Sequence, residues 1–132
     1  MICFCSICRK LCGANGGCNV MGRRATLRLR GKRYLRVYHA RVRNPGERSF
    51  VSKGERWFCR ECGAHLYVLD EAHPDGVWPN AGAIDTELPE PPSHVFLMTR
   101  FKPRWVRISG RGPRYPVFPE LSIAQWHERH WK

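Results

Sequence analysis

The chain has 132 residues, a formal net charge of +12 and 42% hydrophobic residues, so it has room for one modest core and would attract anionic partners. No apolar run reaches the roughly 18 residues of a membrane span, and no basic stretch followed by an apolar stretch marks a secretory signal, so we expect a cytoplasmic protein. In that compartment its seven cysteines are expected to be reduced or metal-bound rather than paired in disulfides.

The first half of the chain is predicted to contain a helical turn and two strands. The Cys- and Gly-rich start allows only a short helical turn, over residues 6–11. Alternation of apolar and polar residues predicts strands over 26–30 and 34–42. The second strand is expected to face the core through alternate residues, namely Leu35, Val37 and, as a further candidate, His39.

The second half is predicted to contain short strands, most of them separated by turns, and one helix. Five strands are expected, over 48–51, 55–58, 64–69, 95–98 and 105–108. Three tryptophans are expected to supply core, namely Trp57, Trp78 and Trp105. Many short strands and little helix predict a mainly β domain over residues 1–118, followed by a tail or short helix over 119–132.

Five cysteines form two tight clusters of the kind that binds zinc. Cys3, Cys5 and Cys8 form a C-x-C-x-x-C run, and Cys59 and Cys62 form a C-x-x-C pair. Zinc in structural sites takes four ligands in a tetrahedron, and two intervening residues let both sulfurs of a pair face one point. We therefore predict that all five are metal ligands.

These spacings leave two ligand arrangements open. Three thiolates at Cys3, Cys5 and Cys8 would leave a fourth position for water or a substrate, as in a catalytic zinc site. Alternatively, Cys5 and Cys8 join Cys59 and Cys62 in one closed four-thiolate site. The chain would bind two zinc ions in the first case and one in the second.

Other residues near these clusters receive simpler interpretations. Gly63 follows the second pair and can take the positive φ that such a turn often needs. Cys12 and Cys18 lie outside both clusters; each is either a substitute ligand or, in the interpretation that we prefer, an inert or free thiol. His127 and His130 are spaced i, i+3 near the C-terminus and are interpreted as a surface pair.

Five short motifs follow one another in order along residues 3–118. They are CFCSICRK at 3–10, RWFCRECG at 56–63, GAID at 82–85, PSH at 92–94, and Trp105 with the proline-rich segment after it. In this order they resemble the glutathione-dependent formaldehyde-activating enzyme family, which includes centromere protein V. The resemblance implies a small zinc-containing folded β-sheet, similar to the methionine sulfoxide reductase B type.

The resemblance also implies a site and a reaction. Zinc at Cys3, Cys5 and Cys8 would bind the thiol of glutathione, the co-substrate. A second, structural zinc would use Cys59 and Cys62 with an earlier C-x-C pair. The family reaction joins glutathione to formaldehyde, giving S-hydroxymethylglutathione, and is classed as carbon–sulfur lyase chemistry; the substrates implied here are a small thiol and formaldehyde or a related small aldehyde.

One part of the family pattern would fall before residue 1, namely the earlier C-x-C pair and its β-hairpin. We therefore expect either that residue 1 is internal to the true gene or that the chain is a shortened family member. A missing hairpin would expose a sheet edge, which favours a homodimer. It would also make Cys59 and Cys62 recruit other ligands or accept water.

Two further functions are consistent with the residues. A non-catalytic zinc-stabilised module could bind nucleic acid through the arginines and tyrosines of residues 23–38, although a solvated surface is the preferred interpretation of those residues. A reductase resembling methionine sulfoxide reductase B would need a nucleophilic cysteine beside a base, and only Cys12 and Cys18 are spare, so this function is disfavoured. Enzymatic activity is thus expected from the resemblance and left open by the residues themselves.

Overall fold

The protein is built from two β-sheets with two short helices, as seen in a computed structural model that describes residues 1–44 and 46–130. The smaller sheet has the strand order β2–β1–β8, where β1 is Ile2–Cys3, β2 is Gly17–Cys18 and β8 is Phe96–Leu97. The larger has the order β3–β7–β6–β5–β4, made of Gly22–Arg23, Gly76–Pro79, His65–Leu69, Phe50–Cys59 and Leu35–Val42. Helix α1 is Ser6–Cys12 and helix α2 is Ile123–His130. The expected mainly β architecture is confirmed.

The small sheet holds the cysteine-rich N-terminal segment in place. Strand β1 pairs antiparallel with β2 and parallel with β8, so that Cys3 lies opposite Gly17 on one side and Leu97 on the other. A side chain at Gly17 would meet the Cys8 Cβ atom at 3.0 Å and the Cys12 Sγ atom at 3.2 Å. The glycine therefore lets α1 pack closely against this sheet.

Phe4 anchors the same segment from its other side. Successive side chains of an extended chain point to opposite faces, so Phe4 points away from its two cysteine neighbours. It is 2% exposed and packs with Phe96 and Val106, with the two phenyl ring centres 6.5 Å apart. This cluster fixes the backbone from which the first two cysteine sulfurs project.

The large sheet has its own apolar cluster, formed where β6 and β7 meet. Tyr67, Leu69 and Val77 are buried there, and the Trp57 ring stacks on Tyr67 with a centroid distance of 5.9 Å. Leu27 and Leu29 pack against this cluster from outside the sheet. Strand β5 pairs antiparallel with β6 and ends at Cys59, the first residue of the second cysteine pair.

Several predicted elements are confirmed and others are wrong. The helical turn, the strands over 34–42, 64–69 and 95–98, and the C-terminal helix are all present within a few residues. The two short strands expected over 48–51 and 55–58 are replaced by the single strand β5, which runs without a break from Phe50 to Cys59. Residues 26–30 do not form a strand, because a 3-10 turn over Arg24–Thr26 leads into irregular backbone.

The expected inward face of β4 is also wrong. Ala40 and Val42 are buried, whereas Val37 and His39 are exposed. Ala40 and Val42 have the opposite parity to Val37 and His39, so they lie on the other face of β4, and that face is the one that the rest of the protein covers there. Local alternation cannot show which face of a strand is covered.

The predicted strand at 105–108 and the core role of Trp105 are wrong as well. This segment has no regular structure, and Trp105 is 75% exposed, whereas Trp57 and Trp78 are half-buried. Within residues 1–44 and 46–130, neither helix has the length and apolar character to cross a membrane.

Candidate metal centre

The Sγ atoms of Cys3, Cys5 and Cys8 all lie within 4.8 Å of one another. The extended backbone at the end of β1 puts Cys3 and Cys5 on the same side of the chain. Helix α1 then begins at Ser6, and its first turn brings Cys8 back over Cys5, which acts as the helix cap. The C-x-C-x-x-C spacing thus produces the cluster through one strand end and one helical turn.

The cluster lies in a largely apolar, half-closed environment. Cys3 and Cys8 are each 9% exposed and pack with Leu97, while Met1 and Met98 contact the group from its edge. Among the described residues, Met98 is the one non-glycine residue with a positive φ, at 58°. Such a conformation costs about 1–3 kcal/mol and is held by the surrounding structure.

The three thiols perturb each other's pKa values strongly. Hydrogen bonds from Cys3 and Cys8 lower the pKa of Cys5, and its Sγ atom also accepts the backbone N–H of Cys8 at 3.4 Å. The same contacts with Cys5 raise the pKa of Cys3, and contacts with both neighbours raise the pKa of Cys8, helped by burial. The group can therefore carry one negative charge on its own, but three thiolates require a nearby cation.

These residues fit a zinc ion. Two sulfurs bound to one tetrahedral zinc lie roughly 3.8 Å apart when each Zn–S distance is about 2.3 Å, which the observed grouping can reach with small adjustments. Thiolates are the soft ligands that zinc favours, and the cation would remove the repulsion that raises the pKa of Cys3 and Cys8. Within the described residues no fourth Cys, His, Asp or Glu joins the group.

The second cysteine pair forms a tight turn at the surface. Cys59 ends β5, the Gly63 N–H donates to the Cys59 carbonyl at 2.8 Å, and Gly63 has the predicted positive φ, at 74°. The pKa of Cys59 is lowered mainly by the backbone N–H of Cys62, and further by that of Glu61 and by the Cys62 thiol. The turn therefore brings the Cys62 thiol and two backbone N–H groups close to the Cys59 sulfur.

No third ligand joins Cys59 and Cys62 within residues 1–44 and 46–130, and the pair is not part of the three-cysteine group. The composite site of Cys5, Cys8, Cys59 and Cys62 is thus not assembled in this structure. Metal binding by the second pair stays a prediction.

A large pocket lies next to residues that pack against the three-cysteine group, although Cys3, Cys5 and Cys8 do not line it. Its volume is about 920 Å³, and Met1 and Leu97, which pack against Cys3 and Cys8, line it. Small-molecule sites usually have volumes in this range. The polar side chains in its wall include Arg23, His73, Asp75, Ser122 and Gln125.

One contact between residues far apart in the chain was not predicted from the sequence. The Cys12 Sγ atom lies 3.4 Å from Nδ1 of His65, although the two residues are 53 positions apart. His65 occupies the first position of β6 and is 5% exposed. The sequence showed only that Cys12 lies outside both cysteine clusters. No local pattern predicts that α1 lies beside the start of β6.

The arginine-rich segment does not form the regular basic strand that would follow a nucleic-acid backbone. Arg28 and Arg30 lie in irregular chain, and the Arg28 guanidinium donates to the carbonyls of Ala25 and Leu27. Arg36 likewise donates to nearby backbone carbonyls. Whether these residues bind nucleic acid stays an open prediction.

Fold and site together define a mainly β protein with a thiol cluster able to hold a metal ion. The family model described as glutathione-dependent formaldehyde-activating enzyme matches residues 1–99 of this chain. The chain belongs to that family, which confirms the resemblance drawn from its motifs.

A curated relative agrees with this assignment, and one solved structure is similar to part of the chain. A curated protein of Halomonas elongata, named "Putative glutathione-dependent formaldehyde-activating enzyme", is 41% identical over 130 residues, which cover 96% of this chain and 80% of that protein. A crystal structure of a Rhodobacter sphaeroides protein is 26% identical and has a TM-score of 0.48, covering 67% of this chain and 70% of that one.

Proposed function

We propose that this chain joins a glutathione-type thiol to formaldehyde or a related small aldehyde, which is carbon–sulfur lyase chemistry. Zinc held by Cys3, Cys5 and Cys8 is part of the proposal. The observation that carries it is the grouping of these three sulfurs within 4.8 Å in a member of the glutathione-dependent formaldehyde-activating family.

The chain's own contribution is to hold and orient the three sulfur ligands. When bound there, zinc would supply a positive charge beside an open position, which lowers the pKa of an incoming thiol. The cap formed by Cys5 and the burial of Phe4 keep the ligands in register. Leu97 and the two methionines at the cluster limit access of water to the sulfurs.

The charge of the protein suits the proposed thiol substrate. Glutathione carries two carboxylates, and a net charge of +12 raises the local concentration of such an anion. The pocket beside the cluster offers Arg23 and His73 as candidate partners for a carboxylate. Because formaldehyde is intrinsically electrophilic, thiolate generation and positioning would account for most of the rate increase.

The decisive experiment combines zinc analysis with a rate measurement. The protein is purified under reducing conditions without chelator, and zinc per chain is measured by elemental analysis. Formation of S-hydroxymethylglutathione is then followed by NMR exchange spectroscopy. We expect faster exchange than in buffer, and Cys5→Ser should lose both this acceleration and about one zinc ion per chain.

A matched control lies in the same segment. Ser6→Ala changes a neighbouring polar side chain without removing a sulfur, and it should keep both the zinc and the acceleration. If zinc-loaded protein gives no acceleration and shows no saturable glutathione binding, the proposed reaction is wrong. If Cys5→Ser keeps its zinc, the assignment of the ligands is wrong.

We also propose that Cys59 and Cys62 bind a second zinc with ligands from outside the three-cysteine group. The support is the preformed turn, in which backbone N–H groups stabilise the Cys59 thiolate. About two zinc ions per chain would support this, and about one would favour a single site. The methionine sulfoxide reductase B type of fold, the division into 1–118 and 119–132, the homodimer and the cytoplasmic location stay predictions.

A further inference from the structure

Cys12 and His65 share a second pocket that the proposed reaction does not use. The pocket has a volume of about 400 Å³ and lies between the end of α1, β2 and the start of β6. None of the three clustered cysteines lines it. Its lining includes Cys12, Cys18, His65 and Asn80.

His65 is held in this pocket with part of its hydrogen-bonding capacity unused. The Asn80 side-chain amide donates to the His65 carbonyl at 3.1 Å, which fixes the backbone at the start of β6. Ring atom Nδ1 faces the Cys12 sulfur at 3.4 Å, whereas the buried Nε2 has no hydrogen-bond partner among the described residues. Buried polar atoms normally have partners, so the unsatisfied ring nitrogen of a residue that lines a pocket indicates a place for a ligand or a water molecule.

The protonation states suit transfer of a proton from sulfur to nitrogen. Burial is the main cause that raises the pKa of the Cys12 thiol, with Arg56 acting in the opposite direction. Burial, followed by the charge of Arg56, lowers the pKa of His65, so the imidazole is neutral near neutral pH. A protonated thiol facing a neutral imidazole is the resting state of a thiol activated by an adjacent base.

We propose that Cys12 is a nucleophilic thiol, with His65 as its proton acceptor, that exchanges with low-molecular-weight disulfides admitted to this pocket. The Cys12 sulfur forms a bond to one sulfur of the disulfide, and the original S–S bond breaks. The leaving thiolate takes up the proton that His65 received from Cys12, so one thiol is consumed and one is released. The product is a mixed disulfide at Cys12.

A disulfide suits this pocket better than a one-carbon aldehyde does. The volume falls in the range of sites for small organic molecules, which is far more than formaldehyde would fill. Thiolates attack disulfide sulfur readily when the attacking thiol has a proton acceptor and the site is accessible. Cys12 is half-buried and lines the pocket, so a ligand in the pocket would contact this residue.

The test uses zinc-loaded, full-length protein carrying Cys18→Ser, which removes the other thiol of the pocket. It is treated with 2-hydroxyethyl disulfide, a neutral probe, and modification at each cysteine is followed by peptide mass spectrometry. Adding His65→Gln should slow modification of Cys12 at least about tenfold. His39→Gln, a change to an exposed histidine, should leave the rate at Cys12 unchanged.

A second measurement needs no substitution at His65. Cys12 of the native protein should react at least about tenfold faster than Cys12 of the same protein unfolded in urea, because only the folded chain brings His65 to the sulfur. Burial without a base would have the opposite effect, since it raises the pKa of the thiol. Equal or slower reaction in the native protein, or an unchanged Cys12 rate in His65→Gln, would overturn the proposal. Zinc content is measured in every sample, so the modification rate of Cys12 can be interpreted even if the proposed aldehyde reaction fails.

Discussion

Replacement of Phe4 tests whether the apolar cluster behind the cysteines holds the metal site together. Phe4 is 2% exposed and contacts Phe96 and Val106, while its two sequence neighbours point to the opposite side. Burying a phenylalanine fully contributes about 1.5–3 kcal/mol, and an unfilled cavity raises the cost of Phe→Ala to about 3–5 kcal/mol. Phe4→Ala should therefore remove a large share of a total stability of about 5–15 kcal/mol.

Urea unfolding of zinc-loaded protein measures this change through the midpoint and the slope of the transition. Phe4→Leu keeps most of the apolar volume and should cost less than about 1.5 kcal/mol. Zinc retention against a competing chelator is measured on the same samples. We expect Phe4→Ala to release zinc more readily than Phe4→Leu, because the backbone between Cys3 and Cys5 loses its anchor.

Trp105→Ala is the control for loss of a large aromatic side chain. Trp105 is 75% exposed, so its removal should change the free energy of unfolding by no more than about 0.5 kcal/mol. The reasoning fails if Phe4→Ala costs under about 1 kcal/mol, or if the tryptophan substitution costs as much as Phe4→Ala does.

Two further predictions concern pH and backbone geometry. Because the pKa of His65 is lowered on folding, the unfolded chain binds the extra proton first, and the free energy of unfolding should fall as the pH drops below about 6.5. In urea unfolding between about pH 7 and 5.5, His65→Gln should flatten this loss and His39→Gln should not. Equal dependence of stability on pH in the native protein and both variants would contradict this prediction. Gly112→Ala should cost at least about 3 kcal/mol, because its Cβ atom would stand 1.7 Å from the His94 carbonyl oxygen at a φ of 137°. Gly82→Ala, with no atom nearer than 3.9 Å, should cost no more than about 0.5 kcal/mol, and similar melting temperatures for the two variants would refute the steric argument.

The local geometry of the cysteine clusters was predictable from the sequence. An extended residue pair followed by one helical turn brings the sulfurs of Cys3, Cys5 and Cys8 together through bonds and hydrogen bonds within ten residues. The turn at Cys59 and Cys62 is equally local, and a positive φ at Gly63 follows from it. Short-range spacing determines such features, so both motifs and the family could be identified from the sequence alone.

Features that join distant segments were decided only by the tertiary structure. Val37 and Ala40 lie on opposite faces of β4, and the rest of the protein covers the face that carries Ala40, which alternation along one strand cannot show. Trp105 is exposed because the segment that carries it does not pack as a strand.

The contact between Cys12 and His65 arises in the same way. It requires α1 to lie beside the start of β6, 53 residues later in the chain. The residues themselves indicated only a spare thiol and an alternating strand. The sequence determined which side chains could cluster within a short segment. Packing between the elements determined which distant side chains are in contact, because that packing depends on side-chain volumes and strand register along the whole chain.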